Sequence, residues 1–465
     1  MTAPRTTSRI EKIDAALSVR HGRLYLEDCD LVDIARRFGT PLFVVSEDQI
    51  RRNIRRMTEA FASRWTEGEA QILPAIKASP LVAVRRILSE EGAGCDTFGP
   101  SELEGAIRGG CRPDLISLNG SVKDRETIRR GIEVGAQIVL DSPRELDLCR
   151  DEARRLGKRA RVLFRLKPYM ADLETQSDFS PHPIRLTTQV IKYGIPTNEV
   201  RPMGPAAFAD DHIDAVGVHC HIGRQSTDPE VWRALIRSYV GLIAELGEEW
   251  GGWVPRIIDV GGGLPSPRDY DPDVVLKSGR PAPAIEIYAE AITSTLRETL
   301  RKHGIDPLGV TLQCEPGRSM HGDTGLHLTS VVNVKKMSRP LEMTWLETDT
   351  SEFFLGTFGY DPSTPLFHFK FANRADERDV ETVDIVGKSC GGEFMLRDVK
   401  TPAASAGDIV ALLDTGAYME TIACNFNAMP RPGTVLVRGD EAFWVKRPET
   451  IDDVYDRDIV PIHLA

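Results

Sequence analysis

Short apolar runs alternate with longer amphipathic stretches along most of this chain, and that alternation sets the first expectations. Runs rich in Val, Ile and Leu predict buried strands at Pro41–Val45, Ile72–Ile76, Cys95–Phe98, Leu115–Leu118, Gln137–Leu140, Ala160–Leu166, Ala215–His219, Ile257–Val260 and Thr311–Cys314. Ser46 is placed to cap a helix reaching about Arg64, with Ile50, Ile54, Met57 and Phe61 at helical spacing. Further helices are predicted over Leu81–Glu90, Ser101–Gly109, Lys123–Gly135, Ser142–Leu156, Pro229–Trp250 and Ala284–His303. Ahead of them, His21–Cys29 is strand-like and Asp33–Gly39 a small helix closed by glycine. A stretch around 169–190, rich in Pro and Thr, is irregular.

Strands alternating with helices in this way predict a (β/α)8 TIM-type barrel over residues 43–325, with its active site at the strand C-termini. After about Gly325 the style changes. Leu328–Lys335, Glu381–Val386, Asp408–Leu413 and Gly433–Val437 are strand-like runs set between Gly and Pro turns, which predicts a C-terminal β domain over 326–465. Residues 1–42 form a lead-in segment.

Composition narrows the function classes. With 465 residues, 41% hydrophobic and 27% charged, the chain is ordinary globular material for two domains. A formal charge of −11 argues against nucleic acid and anionic membranes as partners. The first residues lack an apolar signal core and no run approaches membrane-spanning length, so a cytoplasmic protein is expected. Eight cysteines lie far apart without a CxxC pair, which fits neither a disulfide framework nor a zinc site.

The chemistry begins at Lys77, which ends the run Gln71–Lys77 and is followed by Ala78, Ser79 and Pro80. A lysine closing a buried strand must snorkel, pair with a carboxylate or react; the third reading is a Schiff-base lysine. Polar clusters fall at other strand ends: His219–Gln225, Asp259–Gly263 and Glu315–Arg318. Gly261, Gly262 and Gly263 could bring backbone amides to a phosphate, or simply make a tight turn, and Arg318 could add a charge-assisted contact. His219 and His221 are expected on opposite faces of their strand, which disfavours a metal pair. A single histidine there is either structural or lies flat against a planar cofactor. Cys390, in a loop of small residues, is either an inert thiol or a reactive one.

In order and spacing, these segments resemble the diaminopimelate and ornithine decarboxylase family, pyridoxal-phosphate enzymes with an alanine-racemase-like barrel. The resemblance runs from Pro41-Leu-Phe-Val to Asn427–Pro432 and includes Ala75-Ile-Lys77-Ala, Gly94-Cys-Asp96, Lys192-Tyr-Gly194, His219–Gln225, Gly261–Gly263, Glu315–Arg318, Cys390 and Gly416–Tyr418. It implies that the C-terminal domain is β-sandwich- or β-barrel-like and takes in the N-terminal segment. It also implies pyridoxal 5'-phosphate as cofactor, with Lys77 forming its Schiff base and His221 stacking on the ring. Asp96 and Arg165 would line the cofactor's barrel-floor side. Gly261, Gly262, Gly263, Arg318 and Tyr418 would cradle the phosphate, and Glu315 would pair with the pyridine nitrogen. Cys390 would be supplied by the neighbouring subunit of a homodimer.

A carboxylate at the pyridine nitrogen keeps it protonated and makes the ring an electron sink, which favours decarboxylation over racemisation. The resemblance breaks at the substrate end. Diaminopimelate decarboxylases carry an arginine for the distal carboxylate where this chain has Leu355. They carry a glutamate for the distal amine where it has Gly391, although Glu393 follows; ornithine decarboxylases have an aspartate there. Arg224 replaces a phosphate-contacting serine and could take over that contact, bind an anionic substrate group or sit at the surface. The expected activity is therefore removal of the α-carboxylate from an amino acid or conjugate other than meso-diaminopimelate, in siderophore- or antibiotic-type biosynthesis. The alternative is a member of altered catalysis, such as a racemase or a non-enzymatic regulator.

Overall fold

The computed structural model describes residues 6–7, 16–171, 173, 183–221, 227–266, 282–356, 367–392 and 394–464. The described chain divides into two compact units, one made of residues up to 50 together with those from 321 onward, the other of residues between 51 and 320.

The second of these units holds a sheet of eight parallel strands. In chain order they are Ala70–Ile72, Cys95–Phe98, Ile116–Asn119, Gln137–Leu140, Ala160–Arg165, Ile213–His219, Ile257–Asp259 and Thr311–Cys314. The eighth pairs with the first, and a bridge between Ala75 and Asp96 joins the first to the second, closing the barrel. Helices follow the strands as crossovers, because parallel strands cannot be joined by tight turns. Apolar side chains from adjacent strands, among them Val139, Leu163, Val216 and Ile257, form one buried cluster. Gly217 is required in the sixth strand because a Cβ there would lie 2.1 Å from the Ile257 carbonyl oxygen.

The other unit is built on a mixed ten-stranded sheet. Its long central strand, Gly325–Met337, pairs antiparallel with Met343–Thr348, Ile409–Leu412 and Leu42–Ser46. Two apolar clusters form its core, one including Leu24, Leu31, Val44 and Val435, the other Phe43, Leu346, Leu355, Phe369 and Ile385.

Three expectations need correction. Leu42–Ser46, expected to open the barrel, lies in the mixed sheet, parallel to Gly433–Arg438. All five of its residues are buried, and a fully buried run looks the same in either kind of sheet. The strand predicted to reach Ile76 stops at Ile72 and gives way to a 3₁₀ turn at Ile76–Ala78, since Pro74 has no N–H for the ladder. A helix over Thr197–Phe208 went unpredicted because it contains Pro202 and Pro205. Of the irregular stretch around 169–190, residues 172 and 174–182 lie outside the described residues. No helix among the described residues is long and apolar enough to cross a membrane.

Candidate active site

Every barrel strand delivers a polar side chain at or just beyond its C-terminal end. Lys77 follows the first strand in the 3₁₀ turn, and Asp96 lies on the second, across the closing bridge. Lys77 Nζ meets Asp96 Oδ2 at 3.0 Å. The lysine side chain is 44% exposed and lines the cavity, so of the readings open in the sequence the structure shows the pairing with a carboxylate, with the amine still accessible. Burial pushes the Asp96 carboxyl up and so does nearby Glu315, while Lys77 and Asn119 pull it down. Asn119, ending the third strand, donates to Asp96 Oδ1 and to Glu315 Oε1, both at 2.8 Å.

Glu315 follows the eighth strand. Burial alone would raise its carboxyl, but His219, His221 and Lys77 together outweigh that and hold it well below the usual carboxylate range. His219 Nε2 lies 3.1 Å from Oε2, and because a carboxylate only accepts, the hydrogen sits on this nitrogen. Ser117 Oγ adds a third donor at 3.2 Å from Oε1. Ser117 and Asn119 went unassigned in the sequence. They share one face of the third strand, and two polar residues alternating inside Ile-Ser-Leu-Asn were the available signal.

His219 and His221 do not point to opposite faces. Residues two apart on extended chain share a face, and the two rings lie parallel within 4°, their centroids 6.5 Å apart. His221 Nδ1 accepts the Gly262 amide at 3.0 Å, so this ring carries its hydrogen on Nε2 and is neutral. Burial, with Lys77 and Arg165, pushes its pKa well below the usual histidine value. Gly261 donates to Asp259 Oδ1 at 2.7 Å. Two of the three glycine amides are thus engaged by the protein, and Gly263 is the one that makes no hydrogen bond among the described residues. Gly261 and Gly263 take φ of +67° and +102°, which glycine tolerates. At Gly262 a Cβ would lie 2.1 Å from the Glu315 carbonyl oxygen and 3.3 Å from His221 Cε1. Arg318 begins a short helix three residues past Glu315.

Lys77, Asp96, Asn119, Arg165, His219, His221 and Glu315 line one cavity of about 270 Å³ together with Phe98, Glu102 and Tyr193. The Arg165 guanidinium lies over the Tyr193 ring at 4.8 Å and has Nε 3.8 Å from Asp141 Oδ1. Glu102 accepts the Phe98 amide at 2.6 Å. Burial pushes its carboxyl up to about 7, the Phe98 bond opposing and Asp96 adding to the rise. His219, Asp259 and Glu315 also bring ligand atoms within 4.8 Å of one another, the one such cluster among the described residues. The bonds from His219 to Glu315 and from Gly261 to Asp259 already occupy part of that donor set.

The remaining expected residues are not brought together in this cavity. Cys390, Gly391, Leu355 and Tyr418 belong to the other unit. Cys390 is exposed; its amide donates to Asn427 Oδ1 at 3.0 Å and its Sγ receives Asn427 Nδ2 at 3.2 Å. Leu355 is fully buried in the apolar cluster with Phe43 and Phe367. Tyr418 takes a φ of +71°. Arg224 and Glu393 lie outside the described residues.

Pyridoxal phosphate fits the barrel residues. They offer a lysine amine open to the cavity, a neutral imidazole held by the glycine turn, an ionised acid with three donors behind it, and a turn that a side chain at Gly262 would fill.

The comparisons with known proteins agree with this geometry. Residues 47–322 match the family described as pyridoxal-dependent decarboxylase, pyridoxal binding domain. The diaminopimelate decarboxylase of Methanocaldococcus jannaschii is 30% identical over 460 residues, covering 96% of this chain and 98% of its own. That of Pseudomonas aeruginosa is 31% identical over 446 residues, covering 94% and 97%. A crystal structure of the M. jannaschii enzyme in co-complex with L-lysine superposes with a TM-score of 0.86 at 29% identity, covering 97% of this chain and 99% of that one. Lysine decarboxylase from Selenomonas ruminantium shares the fold, with a TM-score of 0.69 at 22% identity over 87% of this chain and 94% of its own.

Proposed function

The chain belongs to the pyridoxal-dependent decarboxylases, carboxy-lyases that use pyridoxal 5'-phosphate, and from that premise we propose that it decarboxylates an amino-acid-like substrate whose distal end differs from that of meso-diaminopimelate. The observation that carries the chemistry is Glu315, kept ionised in a buried floor by His219, Asn119 and Ser117. Bound in this cavity, the cofactor supplies an electron sink for the pair of electrons left when CO₂ departs. Lys77 is the amine that would hold the cofactor. Glu315 would keep the ring nitrogen protonated, and the neutral His221 would stand beside the ring. The glycine turn Gly261–Gly263 and Arg318 would hold the phosphate, and Arg165 and Asp96 would line the floor. Either Lys77 or the partner subunit's Cys390 returns a proton to the carbon that lost CO₂. A homodimer with shared active sites rests on the family resemblance, with which the exposed Cys390 thiol beside Asn427 is compatible.

The distal specificity rests on Leu355 and Gly391. Overall similarity to diaminopimelate decarboxylases identifies fold and reaction, whereas a few side chains choose the substrate. A leucine and a glycine at the positions where diaminopimelate decarboxylases carry an arginine and a glutamate supply neither a cation for a distal carboxylate nor a carboxylate for a distal amine. The relatives, named diaminopimelate decarboxylases, lend no support to a different substrate or to a siderophore or antibiotic pathway; the specificity reading rests on the two substituted positions alone.

The test is CO₂ release from a panel of amino acids and amino-acid conjugates, meso-diaminopimelate included, with mass spectra of the products. Release from another member of the panel is expected, with little from meso-diaminopimelate. Rapid turnover of meso-diaminopimelate would overturn the specificity. In the same assay Lys77→Ala is expected to lose both CO₂ release and the absorbance of the protein-bound cofactor. Full turnover without Lys77 would overturn the mechanism.

A further inference from the structure

We propose that Asp259 is a positioning residue that ties the two ends of the cofactor site together, its carboxyl bracing the glycine turn on one side and adjoining the Glu315–His219 pair on the other. The inference rests on the decarboxylase reading above. Asp259 closes the seventh barrel strand and is fully buried. Its Oδ1 accepts the Gly261 amide two residues on, at 2.7 Å, which pins the first bend of the turn that presents Gly263. The same carboxyl lies within 4.8 Å of ligand atoms of Glu315 and His219. Its other oxygen is buried and, among the described residues, unpartnered, as is His219 Nδ1.

Charge explains why an acid serves here. Asp96, Asp259 and Glu315 are all buried beneath one cavity, facing Lys77, Arg165, His219 and His221, with the buried thiols of Cys220 and Cys314 close by. Neighbouring buried carboxyls cannot all ionise. Burial and the neighbouring Glu315 push the Asp259 carboxyl well up, which favours its neutral form. A neutral acid still accepts the Gly261 amide and has an O–H to give, leaving Glu315 as the ionised group at the ring nitrogen. One side chain therefore sets both the turn at the phosphate end and the charge at the nitrogen end.

The experiment uses the full-length protein freed of cofactor and measures three things. These are the affinity for inorganic phosphate, the affinity for pyridoxal 5'-phosphate, and the ¹⁵N resonance of ring-labelled cofactor after reconstitution. Asp259→Asn, neutral and able to accept the Gly261 amide, is expected to hold all three close to wild type, with affinities within about threefold. Asp259→Ala is expected to weaken phosphate binding by about tenfold or more and to move the ¹⁵N resonance towards the unprotonated ring. Asp259→Ser, which can remake the turn bond but is too short to place a second polar group beside the Glu315–His219 pair, is expected to keep phosphate affinity and shift the resonance. It carries the test if the alanine variant fails to fold. An alanine variant like wild type, an asparagine variant as damaged as alanine, or a serine variant with an unmoved resonance would each overturn the proposal. If the wild type bound phosphate and cofactor as expected yet released CO₂ from nothing, the decarboxylase reading would fall and the coupling would stand.

Discussion

Glu102 shows how much a single side chain in this cavity contributes to pH behaviour. Its carboxyl titrates near 7 in the folded protein against an ordinary 4.5. Across that window the folded chain binds more protons than the unfolded one, so stability from this group is full below about pH 4.5 and is lost as pH rises through about 7. Glu102→Gln removes the dependence. In cofactor-free protein the variant should match wild type at low pH and exceed it by about 1–3 kcal/mol at pH 8, read from urea unfolding across the range. Parallel stability curves would count against the assignment. Glu102 also marks what the sequence withheld. Lys77, Asp96, Arg165, His221 and Glu315 were legible because each sits in a short motif at a strand end. Glu102, Ser117, Asn119 and the bond from His219 to Glu315 were not, because they acquire meaning only when strands distant in sequence close into a ring.

At the level of elements, the glycine turn after the seventh strand is the least replaceable local structure. Gly262→Ala would drive a methyl group against the Glu315 carbonyl, and the eighth strand end would have to move. Cofactor affinity should fall at least about a hundredfold, a loss on the scale of overpacking a core by roughly 3 kcal/mol. Gly241 provides the contrast. It lies inside the Pro229–Glu249 helix, where an added methyl would meet nothing within 4 Å, so Gly241→Ala should raise stability by about 1 kcal/mol. Thermal unfolding and cofactor titration of the two variants check both statements. Most helices and strands could be read from periodicity within a few residues. The misplaced strand Leu42–Ser46 could not, since burial on both faces erases the alternation that would distinguish its sheet.

For the whole molecule, the division into two units puts Lys77 and Cys390 in different bodies of the chain. If active sites are shared in a homodimer and Cys390 is the proton donor, so that Cys390→Ala is inactive on its own, mixing it with an inactive Lys77→Ala protein should form hybrid dimers holding one intact site. At equal mixing that restores up to roughly a quarter of wild-type CO₂ release, because half the dimers are hybrid and each carries one working site of two. No recovery, with subunit exchange verified by mass, would assign both residues to the same chain's site or none.

The barrel's closure has one more consequence. Between the first and second strands the described backbone is joined by the Ala75–Asp96 bridge and a bond from the Gly94 amide to the Ile72 carbonyl, whereas the fifth and sixth strands share a ladder of six residue pairs. Lys77 rides two residues beyond that thin seam. Local opening costs least where the fewest backbone bonds must break. Amide hydrogen exchange should therefore run faster along 73–78 than along the fifth and sixth strands. If Lys77 is the residue that holds and releases the cofactor, it would do so from a thinly bonded seam of the barrel.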